Sequence, residues 1–176
     1  MGSLEKKLFV EKAKKGDDEA FFILMSTHKE QLYRIAFSYM KNEADSLEAI
    51  QEVTYRAFKG IRKVKQSDYF STWLVKIMIN YCKDEWIKRK REPNIQWKME
   101  EAYTVDNDLQ MEVQEAISSL GDPYQTVIQL RYMEDFKIKD IASVMDSPEN
   151  TVKTWLTKGL KKLRLYWEEK GGKDHV

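Results

Sequence analysis

The chain has 176 residues, with 30 Lys and Arg against 29 Asp and Glu, a formal net charge of +1, and 42% hydrophobic and 34% charged residues. That is too apolar for a disordered chain and too charged for a membrane one; no apolar run nears the ~18 residues of a spanning helix, so no direct membrane insertion is expected. Cys82 is the single cysteine and His28 and His175 are the only histidines, which excludes a disulfide framework and leaves no expectation of a metal centre or other cofactor.

The N-terminus lacks a signal-peptide core, so the cytoplasm is the expected location. A short helix is predicted over residues 4–14. Asp17 then reads as an N-cap, and Phe21, Leu24, Met25, His28, Leu32, Ile35, Ala36 and Tyr39 recur at three and four, forming a long apolar stripe. Leu47, Ile50, Thr54, Ala57, Phe58 and Ile61 mark the next helix. Another, from about Ser71, carries Trp73, Leu74, Ile77 and Tyr81 on one face, and Pro93 closes it. Residues 93–108 show no period and few aliphatics and read as a flexible linker. Helical signals resume at Leu109, Val113, Ala116, Ile117 and Leu120. Gly121-Asp122-Pro123 then supplies a helix stop, a cap and a first helical position. Tyr124, Val127, Ile128 and Leu130 mark one further helix, and Ile138, Ile141, Ala142 and Met145 a short one. After Asp146-Ser147-Pro148, with Ser147 as cap, a last helix runs to about Trp167. The expected fold is all-α: two helical domains, 1–92 and 109–176, joined by the 93–108 linker.

The near-zero net charge conceals a pattern. Residues 1–70 hold 13 basic and 11 acidic side chains, 71–98 hold 7 and 3, 99–150 hold 3 and 12, and 151–176 hold 7 and 3. Two basic segments flank an acidic one. This fits either contact with a polyanion at two places or simply solvated helix faces.

The sharpest local signal spans residues 137–164: a short helix, a tight turn and a longer basic helix, the helix-turn-helix pattern. Ala142 is small where the two helices must cross. Val152, Leu156, Gly159, Leu160 and Leu163 are expected to face inward. Lys153, Thr154, Thr157, Lys158, Lys161 and Arg164 share the other face, the early ones placed for base edges and the later lysines for phosphates. In the first domain Tyr69, Phe70 and Trp73 are interleaved with Lys76, Asn80, Lys83 and the run Lys88-Arg89-Lys90-Arg91. Such interleaving suits melted nucleic acid, although Phe70 and Trp73 read better as core. His28 on the apolar stripe reads as a core or interface histidine. The paired acids Asp45 with Glu48, and Glu100 with Glu101, lack supporting groups for acid–base or metal chemistry, so no enzyme activity is expected.

Gln51-Glu52-Val53, Phe70-Ser71-Thr72-Trp73-Leu74, Ile77 with Asn80 and Asp84, Leu130-Arg131-Tyr132, Ile141-Ala142, Pro148-Glu149 with Thr151-Val152-Lys153-Thr154, and Lys161-Lys162-Leu163-Arg164 occur in this order. In that order and spacing the chain resembles the extracytoplasmic-function sigma factors of bacterial RNA polymerase. The resemblance implies a transcription initiation factor for a stress-type regulon. Its first domain would bind the clamp helices of the polymerase largest subunit and melt the −10 element. Its second would bind the flap and read the −35 element. It further implies promoter DNA and a membrane-bound anti-sigma factor as partners.

Carried over by position, Asp45, Glu48, Gln51 and Glu52 fall at the core-polymerase contact, with Gln51 and Glu52 expected opposite the apolar stripe of their helix. Val64, Lys65, Gln66, Ser67, Asp68 and Tyr69 match the segment that captures a flipped −10 base, and Lys76, Asn80 and Lys83 lie on the promoter-contacting helix. Arg131, Lys153, Thr154, Thr157, Lys158 and Lys161 match −35 positions. The sequence departs from the family pattern where Leu47 replaces an acid, Thr54 an aromatic, Asp146 and Asn150 glycines, and Trp155 and Leu160 arginines. A helix-turn-helix regulator acting on duplex DNA without polymerase is the alternative. A helical scaffold that never touches DNA is a third.

Overall fold

The computed structural model describes residues 1–92 and 108–171. These are helical, without a strand among the described residues, and the chain's contacts divide it into an N-terminal and a C-terminal compact unit. The proposed linker lies outside the described residues except for Asp108, which opens a helix.

The N-terminal unit contains α1 (Ser3–Lys14), α2 (Asp18–Met40), α3 (Glu43–Gly60) and α4 (Phe70–Arg91). The Asp17 carboxylate accepts the Ala20 N–H at 2.9 Å, satisfying a donor the first turn of α2 leaves open. All eight residues of the α2 stripe are buried, Leu24, Leu32, Ile35 and Ala36 completely. Asn42 caps α3 by accepting the Asp45 N–H at 2.8 Å. Between α3 and α4 the chain makes two 3-10 turns, Ile61–Lys63 and Ser67–Tyr69.

Two expected stripes are corrected. The buried side of α3 is Ser46, Ala49, Val53 and Ala57, whereas Leu47 and Phe58 are exposed. Small residues let α3 approach α2 and α4 closely, so the larger apolar groups turn to its flank. Helix α4 packs against both α2 and α3, so its buried surface is wider than one stripe: Phe70, Thr72, Leu74, Val75, Met78, Ile79, Tyr81 and Cys82. Trp73 and Ile77 are only half-buried. Trp73 lies over Gly60, where an added Cβ would stand 3.0 Å from its ring.

The C-terminal unit contains α5 (Asp108–Ser119), α6 (Tyr124–Ile128), α7 (Ile138–Val144) and α8 (Glu149–Gly171). Gly121 takes a positive φ of 67°. Helix α6 begins one residue later than expected, after Pro123, and the Thr126 hydroxyl donates to the Asp122 carboxylate. It widens into a π turn, Gln129–Met133, closed by Glu134 N–H to Gln129 C=O at 3.1 Å. Helices α7 and α8 form the expected helix-turn-helix, with Asp146 in the left-handed region at φ 48° where the family pattern has glycine. Asn150, by contrast, lies in the first turn of α8. Ser147 does not cap α8: its hydroxyl donates backwards to the Met145 carbonyl at 3.0 Å.

Candidate functional site

Helix α3 offers the first surface. Glu48 and Gln51 are exposed and Glu52 half-exposed, on the side away from the Ser46–Ala57 packing face, and Asp45 is half-exposed at its flank. Gln51 does not lie opposite the exposed apolar residues, as expected, but among them: at four-residue intervals Leu47, Gln51 and Tyr55 share one side, with Phe58 one turn on. Tyr55 and Phe58 were not foreseen as surface residues. The signal was available, since Ala49, Val53 and Ala57 describe the other, narrower stripe. Glu52 is bonded to Arg56 at 2.8 Å, and Lys59 lies over the Tyr55 ring at 4.5 Å.

Asp45 is committed within the fold. It pairs with Arg89 of α4 at 2.7 Å and accepts from the Asn42 amide. Partial burial raises its carboxyl pKa, but the Asn42 and Arg89 bonds outweigh that and hold it below the usual carboxylate range. Asp45 therefore ties the start of α3 to α4, and Glu48, Gln51 and Glu52 form the accessible part of this group.

The second surface joins the 64–69 loop to α4. Val64 is only 3% exposed, so its side chain anchors the loop in the core and is corrected from the contact set. Lys65 and Gln66 are exposed, Ser67 and Tyr69 half-exposed, and Asp68 exposed. On α4, Lys76, Asn80 and Lys83 follow at four and three, so they share one face with Trp73 and continue toward Lys90. Lys90 stands 3.6 Å from the Trp86 ring, adding an exposed aromatic–cation pair near the basic end of α4.

A polar chain that runs from the buried His28 to the half-buried Ser71 and Lys6 supports this surface from behind. His28 Nδ1–H donates to the Leu24 carbonyl at 2.7 Å, which leaves Nε2 to accept from the Ser71 hydroxyl at 2.8 Å, and Ser71 in turn accepts from Lys6. Burial, with the nearby Lys6 charge, outweighs the Leu24 bond and pushes the His28 pKa down, so the ring is neutral. Its ring stands nearly perpendicular to that of Phe70, which is fully buried, with centroids 5.4 Å apart. His28 and Phe70 are thus core residues, as the sequence implied. Burial also pushes the Cys82 thiol up to about 12, so it is no nucleophile at neutral pH. Among the described residues no group of three His, Cys, Asp or Glu could hold a metal ion.

The third surface is α8. Val152, Leu156, Gly159 and Leu163 are buried against α6 and α7. Lys153, Thr154, Thr157, Lys158, Lys161 and Arg164 are exposed together, as expected. Leu160 departs from expectation at 42% exposure, and Trp155 is half-buried beside the packing face. The close approach is made by Gly159: a Cβ there would stand 3.1 Å from Ile128 Cγ1. Arg131 is half-buried and donates to the Phe136 carbonyl at 3.1 Å, so its guanidinium is held at the end of the π turn.

The sequence pattern of the family Sigma-70 region 2 matches residues 24–92, and that of Sigma-70 region 4 matches residues 110–163. RNA polymerase sigma factor SigV of Bacillus subtilis is 34% identical over 160 residues, covering 86% of this chain and 94% of that protein. ECF RNA polymerase sigma factor SigW of the same organism is 28% identical over 175 residues, covering 88% and 92%. The chain belongs to the extracytoplasmic-function sigma factors. This sigma factor also shares its fold with CnrH in complex with the cytosolic domain of CnrY, at TM-score 0.76 and 19% identity over 94% of this chain and 98% of that one. A second solved structure, the sigma factor RpoE with the anti-sigma factor NepR from Bartonella quintana, gives TM-score 0.69 and 16% identity over 86% and 96%. A regulator working without polymerase is not favoured, because the region 2 match accounts for most of the N-terminal unit. No helix among the described residues is long and apolar enough to cross a membrane.

Proposed function

We propose that this sigma factor divides its work as residues 1–92 for core polymerase binding and −10 melting, residues 93–108 as linker, and residues 109–176 for the flap and the −35 element. The observation that carries this reading is the separation of surface chemistry in the N-terminal unit. Helix α3 presents acids with Gln51, Leu47, Tyr55 and Phe58, a surface for protein, whereas the 64–69 loop and α4 present lysines, Asn80 and aromatics, a surface for nucleic acid. Glu48, Gln51 and Glu52 meet the clamp helices. The 64–69 loop, together with Lys76, Asn80 and Lys83 of α4, meets the melted −10 strand. Arg131 meets backbone; Lys153, Thr154, Thr157 and Lys158 meet −35 bases, and Lys161 a phosphate.

The partners are core RNA polymerase, promoter DNA and an anti-sigma factor held at the membrane; the regulon is of stress type, the protein acts in the cytoplasm, and it carries no enzyme activity of its own. The anti-sigma reading is supported by two solved structures of the same fold, the sigma factor RpoE in complex with the anti-sigma factor NepR and CnrH in complex with the cytosolic domain of CnrY. Two experiments test the proposal. Purified core polymerase supplied with this chain should initiate from a subset of a randomised promoter library. Glu52→Lys should weaken capture of core enzyme while leaving the circular dichroism unchanged; undiminished capture removes the α3 assignment.

A further inference from the structure

The 64–69 loop does not stand free. Its second half, the 3-10 turn Ser67–Tyr69, lies against α1. Three side chains of α1 reach it or the first turn of α4. Lys7 Nζ pairs with Asp68 at 2.9 Å, Glu11 accepts from the Ser67 hydroxyl, and Lys6 donates to Ser71, which also holds His28. Val64, buried, pins the other end of the loop. Lys65 and Gln66 are left between these anchors with exposed side chains. None of Lys6, Lys7 and Glu11 falls within the region 2 match, which begins at residue 24.

We propose that α1 is the brace that shapes the nucleic-acid loop: Lys7 and Glu11 are positioning residues acting through Asp68 and Ser67, and only Lys65, Gln66 and Tyr69 face the captured base. The physical reason is the commitment of groups. A carboxylate already paired with Lys7 and a hydroxyl already donating to Glu11 have fewer valences for a base edge. Asp68 would also repel the phosphates that Lys65, Lys76 and Lys83 attract. A pocket for an unstacked base must be held in one shape before the base arrives, since unpairing already costs a few kcal/mol. A turn with few buried groups of its own needs outside contacts to supply that order. The inference rests on the assignment of the 64–69 loop to the −10 strand.

The test is a charge swap read in holoenzyme. Lys7→Glu and Asp68→Lys are made singly and together, with Ser67→Ala as a variant that removes one hydroxyl and leaves the charges intact. Each holoenzyme is assayed by permanganate reactivity on promoters carrying each of the four bases across the −10 element, and by affinity for −35 duplex. The singles should lower open-complex formation by up to about fivefold, the scale of an exposed ion pair, and flatten the preference among the four bases. The double variant should regain both yield and preference, and −35 affinity should not change. Ser67→Ala should show the same flattening in weaker form. A double variant no better than Asp68→Lys alone, with preference still lost, would mean that Asp68 itself touches DNA and would overturn the brace. An unaltered preference in all the variants would overturn it too. If the unmodified holoenzyme opens promoters with no preference among the four bases, the loop assignment itself fails, which is a separate outcome.

Discussion

Replacing Gly159 by alanine sets two opposed effects against each other. Within a helix the exchange favours the folded state by about 0.5–1 kcal/mol, because glycine loses more backbone freedom on ordering. At this position, however, the new methyl would stand 3.1 Å from Ile128 Cγ1, 3.3 Å from its Cδ1 and 3.5 Å from Tyr124 Cβ. Carbon atoms prefer about 3.5–4.0 Å, so α8 or Ile128 must give by about 0.4 Å. Ile128 is only 2% exposed, so it cannot relieve the contact by turning into solvent. Overpacking of this kind costs about 1–3 kcal/mol, so it outweighs the helix gain and leaves a net loss of about 1 kcal/mol. In a unit of this size that is about 4–8 °C in Tm. Calorimetry of the full chain, with hydrogen exchange on the α6 and α8 amides to assign the transition, measures it. Affinity for −35 duplex should fall as well, because Lys153, Thr154, Thr157 and Lys158 ride on the helix that is displaced. Adding Ile128→Val removes the 3.3 Å contact and should recover part of the loss. A higher Tm for Gly159→Ala would refute the reasoning, since it would mean the α6–α8 contact has slack.

On α8, Lys158→Ala should cost about 1–3 kcal/mol on the matched −35 site and relax preference at one base pair, whereas Lys161→Ala should weaken all sequences equally and lower the salt slope by about 1. Holoenzyme affinities on single-base −35 variants at two salt concentrations separate them, and a uniform loss for Lys158→Ala would make it a phosphate contact. His28 predicts a pH dependence of stability. Its folded pKa is depressed by burial while the unfolded chain titrates near 6.5, so the unfolded state takes up a proton the folded state refuses. Stability should therefore fall as pH drops below about 6.5, and His28→Gln should flatten that slope in urea titrations between pH 7 and pH 5. Asp45 and Glu11, whose carboxyls are held low, act in a separate and more acidic window. An unchanged slope in His28→Gln would remove the neutral-histidine assignment.

Much of this protein was legible in its residues because helical periodicity and turn chemistry are local. The α2 stripe, the Asp17 cap, the left-handed Asp146 and the cationic face of α8 each follow from side chains within a few positions of one another. The placement of Gln51 and Glu52 on an exposed flank of α3 was also readable, though not the company Gln51 keeps. What only the tertiary structure decided was which of two possible stripes is buried, and which polar groups are already spoken for. Helix α3 carries both a large-residue stripe and a small-residue one, and close approach to α2 and α4 selects the small one, turning Leu47 and Phe58 outward. Asp45, Ser67 and Asp68 look alike in the sequence to any surface acid or hydroxyl. Their partners Arg89, Glu11 and Lys7 lie tens of residues away, brought to them by the packing of α1 and α4. Periodicity reports which way a side chain points from its own helix axis; it carries no information about what stands opposite, and that is set by how the helices dock.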